Sequence, residues 1–236
     1  EIGSGLVGSE MCIRDSLYSG EMAESMVKIA VPSTLQQSIV HVGILLVQAV
    51  INSFGSTALA GYSAGMRIES LSIVPMLAMG NAMSTFTAQN MGAGNIDRVK
   101  KGYQMCYVIV LTAGAVLCIM YQLAGGMFVS LFLDSGSSEA YNIGLSYVRF
   151  LSFFYSFIGL KASTDGLLRG AGDVVAFTVA NLVNLAIRVS VTNLFAPVYG
   201  IQVAWMAVPL GWAANYVISF GWYLTGKWKN VRVIRK

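Results

Sequence analysis

IAVPSTLQQSIVHVGILLVQAVINSFGSTALAGYSAGM, residues 29–66, runs for 38 positions between Lys28 and Arg67 without a Lys, Arg, Asp or Glu. Three more such runs follow: 27 residues between Glu69 and Asp97, 32 between Lys101 and Asp134, and 38 between Arg188 and Lys227. A helix crossing a bilayer needs about 20 mostly apolar residues, and no soluble core needs charge-free runs of this length. The pattern predicts an all-α membrane protein, a six-transmembrane-helix bundle. Composition agrees. Of 236 residues 56% are hydrophobic and 11% charged, with a mean hydropathy of +0.65, where a soluble domain carries about 25% charged residues. An ordinary soluble domain, a disordered chain and a nucleic-acid binder are excluded. The 25 glycines form no collagen repeat, and three cysteines are too few for a disulfide framework.

The expected spans run from Lys28 to near Gly55, about Ala58 to Asn90, about Tyr103 to Ala124 with Met127–Leu133 as an extension, Tyr141 to Leu168, Val174 to about Phe195, and Ile201 to Trp228. Pro32 falls in the first turns of its span. Pro75 is expected to kink the second span, and Pro197 to stop the fifth. The charged loops give a direction. Arg98, Lys100, Lys101, Arg169, Lys227, Lys229, Arg232, Arg235 and Lys236 all fall on one side, whereas the opposite loops carry Asp134 and Glu139 and no Lys or Arg. The positive-inside rule sets the basic side, and with it both chain ends, in the cytoplasm. Residues 17–228 form the expected membrane lobe and 229–236 a basic cytoplasmic tail. Leu6–Asp15, LVGSEMCIRD, resembles the conceptual translation of a transposase-type sequencing adapter, and Gly5 and Ser16 fit its partial end codons. Residues 1–16 are therefore read as non-native, and the chain as a fragment of something larger.

GAGN at 92–95 and GAGD at 170–173 echo each other. Gly suits the left-handed residue that ends a helix, and Asn or Asp the N-cap of the next. GAGD also fits the GxGD pattern of intramembrane aspartyl proteases, but that chemistry needs a second aspartate facing from another span. The remaining membrane aspartate, Asp165, lies on the same segment. HExxH and P-loop patterns are lacking and His41 is the single histidine, so no enzyme and no metal site are expected. Cys106 and Cys118 stand about 18 Å apart along one helix and do not pair. Ionisable groups in hydrocarbon face a bundle interior or a wet cavity. Gln36, Gln37, His41, Glu69, Asp165, Asn181 and Asn184 are accordingly the candidate cavity or coupling residues. Arg67, Arg149, Lys161 and Arg169 are candidate partners in structural ion pairs. Lys161, Asp165 and Arg169 share one helix face by their i, i+4 spacing. Arg67 and Glu69, two residues apart, each need a partner on another helix.

INSFGSTALAGYSAGMRIESLSIVPMLAMGNAMSTFTAQNMGAG at 51–94, then a basic loop, then GLLRGAGD at 166–173, resembles the C-terminal half of multidrug and toxic compound extrusion (MATE) transporters over Met22 to Trp228. The resemblance implies one lobe of a twelve-helix, two-lobe transporter that exports amphipathic, often cationic compounds by alternating access. It implies no cofactor apart from a coupling ion, Na+ or H+. The implied partners are the lipid bilayer of the cell membrane, a missing N-terminal six-helix lobe and small amphipathic substrates, and not nucleic acid. One departure stands out. Some members carry a glutamate shortly after the proline of this first span, but Ser33–Gly43 holds no carboxylate and Val40 or His41 falls near that place. Two other readings stay open: a flippase for lipid-linked precursors from the same superfamily, and a six-span assembly subunit without a substrate.

Overall fold

A computed structural model describes residues 20–134 and 139–230, apart from the side chains of 20–26, 28–33, 35–37 and 230. Residues 1–16, the tail beyond 230 and the side chains of Gln36 and Gln37 lie outside the described residues. The chain divides into two compact units, Glu1–Val42 and Gly43–Lys236. The described part of the first is helix, the opening of α1 (Gly20–Asn52). The second holds the rest of α1 and α2 (Ser56–Gly92), α3 (Ile96–Ser130), α4 (Glu139–Ser152), α5 (Tyr155–Gly170), α6 (Val174–Tyr199), α7 (Gln202–Thr225) and a 3-10 turn, Lys227–Asn230.

Four of these helices, α2, α3, α6 and α7, are long and apolar enough to cross a membrane. The pair α4 and α5 meets the same criterion jointly. Five of the six expected crossings are thus present among the described residues; the apolar stretch described in α1, Ser38–Asn52, is shorter. Helix α3 shows why the protein belongs in lipid. Val99, Tyr103, Cys106, Val110 and Gly114 bury one face, while Met105, Val108, Val116, Ile119 and Leu123 expose the other. A helix apolar on all sides needs an apolar solvent. The protein is a multi-pass membrane protein.

Within the second unit, α2 packs against α3, α4 and α5, and α7 packs against α6 and α5. Small residues set these approaches. Gly61 of α2 meets Ala140 of α4, and Gly65 meets Tyr147. Farther along, Gly80 and Ser84 of α2 meet Gly166 and Gly170 of α5, where an added Cβ would run into facing carbonyl oxygens. Two small residues spaced by four on each helix let membrane helices approach backbone to backbone.

The fourth expected span is not one helix. It breaks at Phe153 and Phe154, and its halves are bent by 54°. The break follows from a substituted hydrogen bond. The Arg149 carbonyl accepts from Ser152 Oγ at 2.7 Å and from Gln122 Nε2 of α3 at 2.9 Å, and Gln122 also bonds Ser152 Oγ at 2.9 Å. Side chains thereby take over the acceptor that would otherwise carry the helix onward. In contrast, α2 runs uninterrupted through Pro75, and α6 continues past Pro197 to Tyr199. Pro197 falls in the last turn, where it removes a single bond, and Gly200 N–H closes the end on the Ala196 carbonyl at 2.9 Å.

The two echoing loops have the same build. Gly94 and Gly172 take φ of 74° and 83°. The following N–H reaches back five residues, Asn95 to Asn90 at 2.8 Å and Asp173 to Leu168 at 2.9 Å. This is the left-handed glycine termination expected from the sequence. The caps differ. Asp173 Oδ1 accepts from Ala176 N at 3.3 Å, and Oδ2 accepts from Trp222 Nε1 of α7 at 2.6 Å. Asn95 makes no side-chain cap bond, so its expected capping role is not realised. Asp173→Ala should cost about 2 kcal/mol, the sum of a lost cap and a lost charge-assisted bond. Asn95→Ala should be close to neutral. Thermal melts of the two purified variants separate these outcomes.

Candidate functional site

The buried ionisable groups fall into two clusters. The first spans α5, α6 and α7. Asp165, 4% exposed, sits one turn after Lys161 on α5, and the two form a 3.1 Å ion pair. Asn181 of α6 bridges them: its Oδ1 accepts from Lys161 Nζ at 3.0 Å and its Nδ2 donates to Asp165 Oδ2 at 3.3 Å. Ser219 of α7 donates to Asp165 Oδ1 at 2.7 Å. Every described partner of this carboxylate is therefore a donor, and the ammonium beside it balances its charge. Asn215, one turn before Ser219, is fully buried with Nδ2 unpaired. A belt of hydroxyls continues from the same turn of α5. Thr164 Oγ1 lies 2.7 Å from the Tyr103 hydroxyl and 2.9 Å from that of Tyr107, and Tyr107 donates onward to Tyr216 at 3.3 Å.

The second cluster joins α2, α4 and α6. Glu69, 5% exposed, accepts a hydrogen bond from the Tyr147 hydroxyl of α4. Tyr147 is itself fixed edge-on by Tyr62 at 5.3 Å and Trp205 at 5.8 Å. The cation facing this group is Arg188 of α6, which acts on Glu69, Tyr62 and Tyr147. Among the described residues the direct ion pairs are Lys100–Asp97 and Lys161–Asp165; Arg188 is a neighbouring cation of Glu69 without an ion-pair contact to it. A buried carboxylate with a counter-charge from another helix is what the position of Glu69 demanded.

The remaining expectations divide. Asp165, Asn181 and Lys161 come together, and Glu69 finds its partners on other helices. Arg169 does not join the Lys161–Asp165 pair. Its guanidinium donates to Asn81 Oδ1 at 2.8 Å and lies 5.6 Å from the Phe177 ring centre. Arg67 and Arg149 form no ion pair among the described residues. Arg67 is exposed and reaches the Phe132 ring at 6.0 Å, and Arg149 is exposed at the helix break. Long basic side chains turn their heads toward polar surroundings and leave only their stems in contact with apolar surface. Asn184 packs against Gly211 of α7 and not against Asp165. His41 is exposed on α1. Arg188, Tyr147, Ser219 and Asn215 complete the clusters and were not among the expected residues. A lone arginine inside a hydrophobic span was the available signal for the first; hydroxyls and amides on α4 and α7 offered none.

The buried carboxylate cage thus sits inside an all-helical membrane lobe. The MatE family model matches residues 32–194. The chain belongs to the MatE family. Among curated relatives, the probable multidrug resistance protein YpnP of Bacillus subtilis is 27% identical over 214 residues, covering 90% of this chain and 48% of its own length. The probable multidrug resistance protein NorM of Thermotoga maritima is 20% identical over 222 residues, covering 90% and 46%. Among solved structures, a MOP superfamily transporter from Pyrococcus furiosus superposes with a TM-score of 0.81 at 20% identity, covering 93% of this chain and 50% of that one. This MatE chain spans about half the length of the curated relatives it matches, and its fold is that of one such half.

Proposed function

We propose that the chain is the C-terminal lobe of a cation-coupled exporter that moves amphipathic, often cationic compounds across the cell membrane by alternating access, with both chain ends in the cytoplasm. The observation that carries this reading is Asp165: a buried carboxylate on α5, caged by donors and paired with an ammonium from its own helix. Its position suits reversible cation exchange. A proton on Asp165 removes the charge that holds Lys161. A sodium ion would take oxygen ligands, and Asp165 of α5 with Ser219 and Asn215 of α7 supply them. Either event displaces the Lys161 ammonium toward Asn181 and changes how α5 is tied to α6 and α7. Membership of the MatE family supports the transport reading, and half-length coverage supports a second lobe. In repeat-built transporters the sites lie where two halves meet and one half rocks on the other.

The test is Asp165→Asn in the complete two-lobe protein, with dye export followed in vesicles under an imposed Na+ or proton gradient. Gradient-driven export should fall about tenfold or more, the scale of a lost coupling energy, while membrane expression stays unchanged. The 236-residue chain alone should export nothing. Undiminished gradient-driven export by Asp165→Asn would remove the coupling role from this site.

A further inference from the structure

The two glycine-ended loops and the start of the tail enclose a second feature that the transport reading does not use. Loop residues Gly92 and Gly94, loop residues Gly170 and Gly172, and Lys229 line one cleft of about 880 Å³. The basic ends that the sequence places on one side of the membrane thus converge in space. Two charged side chains line the cleft, Arg169 and Lys229, and both are cations. Arg169 is oriented in advance by Asn81 and by the Phe177 ring. A guanidinium has five donors, so the bond to Asn81 leaves several for a ligand. The Ser84 hydroxyl adds a polar group, and Ala88, Met91 and Ile96 give the cleft an apolar wall.

We propose that this cleft binds the phosphate-bearing headgroup of an anionic phospholipid, with Arg169 and Lys229 as the cations that hold the phosphate. Three observations favour a lipid. The cleft lies where the spanning helices α2 and α5 end, at the depth of headgroups. Basic pockets between membrane helices at that depth take such headgroups. Its volume is that of a small-molecule site and far exceeds a single phosphate, and its apolar wall suits a glycerol backbone and the first acyl carbons. The proposal rests on the membrane-spanning fold alone and stands or falls separately from cation coupling.

The test uses the purified chain in detergent, titrated with phosphatidylglycerol or phosphatidylcholine, with retained lipid counted by native mass spectrometry. The wild-type chain should retain phosphatidylglycerol in preference to phosphatidylcholine. Arg169→Gln and Lys229→Gln should each reduce that preference about fivefold. Lys101→Gln, a basic change at the same end but outside the cleft, should leave it intact. Arg169 also bonds Asn81, so Lys229→Gln, beyond the last span, keeps the test decisive if Arg169→Gln does not fold. Equal retention of the two lipids would overturn the proposal. So would a preference that survives Lys229→Gln. Inorganic phosphate, added without lipid, should not raise the melting temperature; a rise matching that from phosphatidylglycerol would assign the cleft to free phosphate instead.

Discussion

Gly166→Val should leave little folded protein, with a loss of about 4 kcal/mol or more, the range reached by few single substitutions. The position faces backbone. A Cβ at Gly166 would overlap the Gly80 carbonyl oxygen of α2, and one at Gly170 would overlap that of Ser84. A facing side chain could rotate away, but a carbonyl can move only with its helix. Admitting a valine therefore means separating α2 from α5, which tears the contact around Met76, Gly159 and Leu167 as well. Gly166→Ala should lie between valine and wild type. Gly221 of α7 provides the contrast, since an added Cβ there meets nothing within 4 Å. Gly221→Ala should be neutral or stabilise by up to about 1 kcal/mol through helix propensity. Melting curves followed by gel filtration distinguish the three. A Gly166→Val protein that melts with the wild type would show that the α2–α5 approach is looser than its geometry.

Arg188→Leu is the second large effect. Removing the guanidinium leaves Glu69 buried with the Tyr147 hydroxyl but no counter-charge. Breaking a buried charge pair from one side costs about 3–5 kcal/mol, and the through-space geometry here sets the expectation at the lower end, about 3 kcal/mol. Adding Glu69→Gln should restore most of that loss, because an amide keeps the Tyr147 bond and needs no cation. Recovery in the double variant identifies the penalty as uncompensated charge. If the double variant is as unstable as Arg188→Leu alone, the arginine acts by packing and not by charge.

The fold was legible in the charge-free runs because the bilayer imposes a constraint that short-range pattern can meet: each span must be long, apolar and internally hydrogen-bonded. The Lys161–Asp165 pair was legible for the same local reason, since i, i+4 spacing fixes adjacency within a helix. So were the left-handed glycines at 94 and 172. What escaped depends on contacts between helices. Glu69 and Arg188 are 119 positions apart, and no local pattern pairs them. Arg169 shares a face with Asp165, yet Asn81 of α2 and Phe177 of α6 draw its head away. The break after Ser152 carries no glycine or proline; it is written in Ser152 and in Gln122, thirty positions upstream.

That break has a mechanical side. Helix α4 lies along α2 at Gly61 and Gly65, and α5 lies along it from Met76 onward. Pro75, which cannot donate to the Leu71 carbonyl, falls between these two stretches. The break of one span is thus level with the missing backbone donor of its neighbour, which makes this level the joint where the pair can hinge. Glu69 and Tyr147 belong to one side of the joint and Asp165 to the other. Helix α5 is a lever of 16 residues, about 24 Å long at 1.5 Å per residue. A change of about 10° at the joint sweeps its far end through about 4 Å. Small rearrangements around the Asp165 cage can therefore be geared into displacements of the size of a side chain at the end that carries Arg169.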